Sequence, residues 1–165
     1  MPRAYVVNRT IVEKEPHKAL YRLSLPQFDP LREVVLEDNT AVRPTKPLEA
    51  RVKIRHYGNT SVTIHAGTNQ ASVLVLADSF YPGWKVFVDD KQGKILKANH
   101  FYRAVVIPPG QHFVEFKYEP KSFAWGLIIS VFTICCLFIV SLIVFLKQRK
   151  KALIDVPSPI EVLEA

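Results

Sequence analysis

The chain has 165 residues and a formal net charge of +7. Its basic residues are spread (Arg3, Arg9, Lys46, Arg51, Lys53, Arg55, Lys85, Lys94, Arg103) and no recognition motif accompanies them. Nucleic acid is therefore not an expected partner, and anionic lipid head groups or anionic envelope polymers are. Both cysteines, Cys135 and Cys136, lie in one apolar run, so nothing outside it is held by a disulfide.

Read in chain order, Arg3–Val7 is an opening strand. Pro16 starts a short helix, HKALYRLSL, whose Ala19, Leu20 and Leu23 share a face and which Pro26 stops. Residues 32–37 form another strand, and EDNTAVRPTKP, without periodicity, is a loop. From there β signals dominate. Arg51–His56 alternates, placing Val52, Ile54 and His56 on one face and Arg51, Lys53 and Arg55 on the other. TSVTIHA alternates again, while SVLVLAD is apolar on both faces and reads as a central strand covered twice. Tyr81-Pro82-Gly83 turns into WKVFVDD, then come a DKQG hairpin loop, KILKAN and FYRAVVI. Pro108-Pro109-Gly110 turns into HFVEFKYE, whose Val114, Phe116 and Tyr118 share a face. Seven or eight short strands with Gly/Pro punctuation predict an antiparallel β-sandwich over residues 1–120.

Residues 123–146, FAWGLIISVFTICCLFIVSLIVFL, carry no charge. At 1.5 Å per residue such a helix is about 36 Å long, enough to cross a hydrocarbon core of roughly 30 Å. Helices of soluble domains rarely stay apolar for so long, so a transmembrane helix is expected. Trp125 is its interfacial anchor, joined by Lys147, Arg149, Lys150 and Lys151 on the far side. Gly126, Ser130, Thr133 and Ser141 offer small and hydroxyl side chains to neighbouring helices. Residues 147–165 read as a basic, then disordered, cytoplasmic tail. The positive-inside rule places residues 1–120 outside the cell, connected through only Pro120-Lys121-Ser122 and so held close to the bilayer. Yet MPRAYVVNRTIVEKEP has no apolar signal core and no cleavage site to export them. Either the domain stays in the cytoplasm as a tail-anchored module, or upstream helices of a larger protein deliver it.

Chemistry-bearing motifs are sparse. The five histidines (17, 56, 65, 100, 112) show no metal-ligand spacing, and no nucleophile elbow, Walker loop or dinucleotide fingerprint occurs. No cofactor, metal or catalytic residue is expected. Asp89-Asp90 reads as turn chemistry. The cluster Asp78-Ser79-Phe80-Tyr81-Pro82-Gly83-Trp84 is more specific, since loop aromatics beside hydroxyl and carboxylate groups can stack on sugar rings. The competing reading makes Trp84 a packing residue at a strand start. Tyr81, Trp84, Tyr102 and Arg103 are the candidate carbohydrate contacts.

The runs LVLADSFYPGWKVFVDD and ILKANHFYRAVVIPPGQHFVEFKYEPKSF, followed by the apolar helix, closely resemble the C-terminal end of the YfhO family of bacterial membrane proteins. PRAYVV and ALYRLSLPQFDP are similar to the start of that family's last extracytoplasmic domain, so the resemblance spans residues 2–146. One departure is visible: the family's tight V-D-G-K hairpin is replaced by Val88-Asp89-Asp90-Lys91-Gln92-Gly93, which predicts a longer turn. The resemblance implies a polytopic protein of the bacterial cytoplasmic membrane with a GT-C-type glycosyltransferase fold. Such a protein uses a polyprenyl-phosphate sugar at the outer face and acts on an envelope polymer. No position here matches the family's candidate catalytic acid. The implied role is an accessory domain that partners the upstream transmembrane helices and has no activity alone; the alternative is a stand-alone tail-anchored interaction module.

Overall fold

A computed structural model describes residues 1–154, and the disordered tail expected up to residue 165 lies outside the described residues. The chain divides into two compact units at Pro120. Among the described residues the first unit holds eleven strands and one helix: β1 (Ala4–Val7), β2 (Arg9–Val12), α1 (Pro16–Ser24), β3 (Glu33–Leu36), β4 (Ala50–Tyr57), β5 (Ser61–Thr68), β6 (Ser72–Ser79), β7 (Trp84–Val88), β8 (Lys91–Gly93), β9 (Leu96–Ala98), β10 (Tyr102–Ile107) and β11 (Gly110–Tyr118). They form two sheets, ordered β1-β6-β10-β9-β3-β2 and β4-β5-β11-β7-β8.

Strand periodicity sorts the side chains. Leu74, Leu76, Val105 and Ile107 of the six-stranded sheet meet Val62, Ile64, Val86, Val114 and Phe116 of the five-stranded sheet in the inter-sheet core. Alternate residues of the same strands, Val73, Val75 and Ala104, join Tyr5, Val7, Val34 and Leu36 in a second core on the other face, where Val42 of the long loop also packs. β6 therefore buries Val73, Leu74, Val75 and Leu76 completely, each contributing about 1.5–3 kcal/mol of apolar burial. This is the twice-covered central strand that SVLVLAD announced.

Several local expectations change. β2 is a strand in its own right and pairs parallel to β3, which is possible because α1 supplies the crossover between them. Of the α1 face, only Ala19 is buried and Leu20 is 45% exposed, because the small residue is the one that lets α1 approach β3. β4 carries a bulge between Ile54 and His56: Ile54 still faces Ile64, but His56 pairs with Thr63 on the outer side. The extra residue, Arg55, flips the alternation, so His56 does not share a face with Val52 and Ile54, and Tyr57 opposite Val62 takes the inward position instead. The β7–β8 hairpin is also tighter than expected. Val88 pairs with Lys91, and Asp89 and Asp90 form a two-residue turn with φ of 49° and 64°. Asp tolerates the left-handed region, so the pair does what Asp-Gly does in a type I′ turn. Lys91–Gly93 is then strand, not loop.

The second unit is α2 (Lys121–Ile154). Within its stretch Lys121–Arg149 the most apolar 18-residue window has a mean hydropathy of 3.0, and none of that window is buried in the protein. The helix continues through the basic run at Lys147. Ser130 and Thr133 donate their hydroxyls to the carbonyls of Gly126 and Ile129, both at 2.9 Å, so each is satisfied within its own helix.

Candidate functional site

At one end of the sandwich the apolar layers of the inter-sheet core give way to a different set of side chains. Each comes from the strand position that continues the inward row. Beyond Leu74 and Leu76 stands Asp78, and before Val105 and Ile107 stands Arg103. Trp84 precedes Val86, Tyr118 follows Phe116, and Tyr57 sits opposite Val62. With Tyr81 they line a cleft of about 450 Å³ open to solvent. The turn that launches β7 shapes its wall. Gly83 has φ +102°, and a Cβ there would lie 3.0 Å from the Tyr118 ring and 3.1 Å from the Pro120 backbone. Only glycine fits both the conformation and the space. The Glu119 N–H closes the turn onto the Gly83 carbonyl at 2.7 Å.

The polar centre is an ion pair. Arg103 Nη2 donates to Asp78 Oδ2 at 3.0 Å, with the two side chains 4% and 12% exposed. The Tyr57 hydroxyl donates to the same carboxylate, 3.1 Å from either oxygen, and Arg3 Nε lies 3.6 Å from Asp78 Oδ1. The Arg103 guanidinium stacks 3.7 Å from the Trp84 ring centroid, and Arg3 stacks 4.5 Å from Tyr57. Tyr118 adds a tilted contact with Trp84 at 5.3 Å and another with Tyr81 at 6.5 Å. Burial pulls the Arg103 guanidinium below its ordinary value, with Asp78 and Tyr57 opposing that shift. Desolvation, then the bond to Asp78, holds the Tyr57 phenol above its ordinary value. Arg103 Nε and Nη1 are buried with no hydrogen-bond partner among the described residues.

Three of the four candidate contact residues thus converge. Tyr81 is 61% exposed at the rim. Trp84 packs against the inter-sheet core, as its packing reading has it, and also lines the cleft. Tyr102 does not join them. Its neighbour Arg103 points between the sheets, so Tyr102 must point to the opposite face, where it packs on the second core. Tyr57 and Tyr118 complete the cleft, and the sequence signal for Tyr118 was its place on the inward row after Val114 and Phe116. Tyr57 was hidden by the Arg55 bulge. Asp89 and Asp90 lie in the β7–β8 turn. The Asp89 carboxylate lies 2.6 Å from His112 Nδ1 and accepts from the Phe113 N–H at 2.9 Å, and these contacts, the first above all, hold it below the usual carboxylate range. No group of three metal-ligating side chains occurs among the described residues.

The sequence model of the family described as bacterial membrane protein YfhO matches residues 31–130. The chain belongs to the YfhO family. No curated protein and no solved structure matches it. The YfhO match spans the cleft residues Tyr57, Asp78, Tyr81, Trp84, Arg103 and Tyr118, and leaves out Arg3. It also reaches into α2, so this YfhO-family chain joins a β-rich domain to a helix long and apolar enough to cross a bilayer. Membership and α2 together make it a membrane protein. Trp125, 65% exposed near the start of α2, is available to lipid, as are the apolar side chains that follow it.

Proposed function

We propose that this chain is the sugar-handling extracytoplasmic domain and last transmembrane helix of a polytopic YfhO-family protein. That protein takes part in polyprenyl-phosphate-dependent glycosylation of cell-envelope polymers in the bacterial cytoplasmic membrane. In this reading residues 1–120 lie outside, the residues after Leu146 lie in the cytoplasm, and upstream helices partner α2. The observation that carries the reading is the cleft, where exposed and half-buried aromatic rings surround a polar Asp78–Arg103 centre. Aromatic faces bind the C–H faces of sugar rings, and a few fixed polar groups then select hydroxyl positions. Such a cleft binds without catalysing. The Asp78 carboxylate already accepts from Arg103 and Tyr57, so its oxygens are committed within the fold and not aimed at a reacting hydroxyl. The domain therefore holds a saccharide, and transfer belongs to the membrane bundle of the parent protein.

Two measurements test this. Tyr81 makes few packing contacts, so Tyr81→Ala should lower retention on envelope polysaccharide several-fold while the melting temperature stays within about 1 °C. Equal retention would count against the cleft. Residues 1–165 reconstituted with polyprenyl-phosphate sugar and acceptor polymer should transfer no sugar. Transfer that Asp78→Asn abolishes would make this domain the enzyme and overturn the accessory role.

A further inference from the structure

Resting on the sugar-binding reading of the cleft, we infer that its saccharide is acidic, carrying a carboxylate or a phosphate ester that Arg103 receives. Two features of the cleft point to an anion. The first is charge. Arg3 and Arg103 face the single carboxylate of Asp78, so the centre carries one uncompensated positive charge. The second is the state of Arg103 itself. It is 3% exposed, and only Nη2 has an acceptor; Nε and Nη1 are buried with none among the described residues. Leaving guanidinium N–H groups buried without acceptors is costly, and contact with an aromatic ring supplies no oxygen acceptor to remove that cost. An anionic oxygen entering beside Asp78 supplies the missing acceptor and balances the charge, and charge-assisted bonds of this kind are about twice as strong as neutral ones.

The Trp84 ring lies 3.7 Å from the guanidinium, so an anion bound to Arg103 changes the surroundings of that ring. Trp84 fluorescence therefore reports occupancy, and since the chain has two tryptophans, Trp125→Phe leaves Trp84 as the sole emitter. The experiment uses the full chain carrying Trp125→Phe in phosphatidylcholine nanodiscs. It is titrated with a galacturonate trisaccharide against the galactose trisaccharide of the same linkage, and with glucose 6-phosphate against glucose. The acidic member of a pair should bind about tenfold more tightly than its neutral partner, and the pair that shows it identifies carboxylate or phosphate as the group. Arg103→Gln should bring the ratio below about twofold; Arg103→Lys, which keeps the charge, should retain part of the preference even if the Gln variant does not fold. Equal affinities for acidic and neutral sugars would overturn the acidic ligand while leaving the saccharide cleft intact. No fluorescence response to any of the four would overturn both.

Discussion

Arg103 and Asp78 show what a single pair costs and contributes. Both side chains are largely withdrawn from solvent, so removing one partner strands the other. Asp78→Ala should destabilise the domain by about 3 kcal/mol, near the lower end for a broken buried pair because Arg103 keeps its stack on Trp84. Combined with Arg103→Met, the loss should shrink, and chemical denaturation of the two single variants and the double variant measures the coupling. Tyr5 supplies a second, pH-dependent case. Burial, with Tyr102 nearby, pushes its phenol up to about 12, against an opposing bond from Asn99. The folded state therefore holds the proton more tightly than the unfolded chain. Tyr5's contribution is complete below pH 10 and is lost as pH rises toward 12, by roughly 2–3 kcal/mol in total. The difference in stability between wild type and Tyr5→Phe should fall over that window; a difference flat from pH 9 to 12 would refute it. Residue roles were legible wherever strand parity fixed them. Parity alone separates Tyr102 from Arg103 and adds Tyr118 to the inward row. It could not reveal that Arg103 lacks acceptors, because that depends on what three other strands bring to it.

At the scale of elements, the sequence announced those whose pattern matched one structural period. β6 and β11 stood out, as did α1 between Pro16 and Pro26 and the charge-free stretch of α2. β2 escaped because Arg9–Val12 has only four residues, two of them half-buried and two exposed, and its partner is reached across a helix. The Arg55 bulge escaped because one surplus residue leaves a sequence alternating while the chain does not. The β7–β8 turn escaped because Asp-Asp is an uncommon way to fill two left-handed positions. That turn gives a sharp test. Asp90 makes no side-chain bond among the described residues, so Asp90→Gly removes the left-handed strain at φ 64° and should stabilise by about 0.5–1 kcal/mol. Asp89→Gly relieves similar strain but loses the contacts with His112 and Phe113, and should be neutral or destabilising. Thermal melting of both variants decides it. A destabilised Asp90→Gly would mean that the turn is not held in the type I′ form.

For the whole molecule, orientation is the property that the two units must share. Labelling with a membrane-impermeant maleimide in a background of Cys135→Ala and Cys136→Ala checks the proposed topology. Asn69 looks like an open turn position in the sequence, but its side chain is tied to Pro47 and Glu49. Asn39, exposed in the long loop, is the better reporter. Asn39→Cys in the parent protein should react in intact cells; reaction only after permeabilisation would put the domain in the cytoplasm. The cleft has a larger consequence. It is not a loop grafted onto a finished scaffold but the last layer of the inter-sheet core, so recognition and folding draw on the same side chains. Any occupant must then stabilise the folded state, by about 2.7 kcal/mol at a hundred times its dissociation constant, and raise the melting temperature with it. Substitutions of its buried members must equally shift the stability of the fold. Drift in ligand preference is thereby confined to changes that still close the end of the sandwich, whereas an exposed rim position such as Tyr81 stays free to vary.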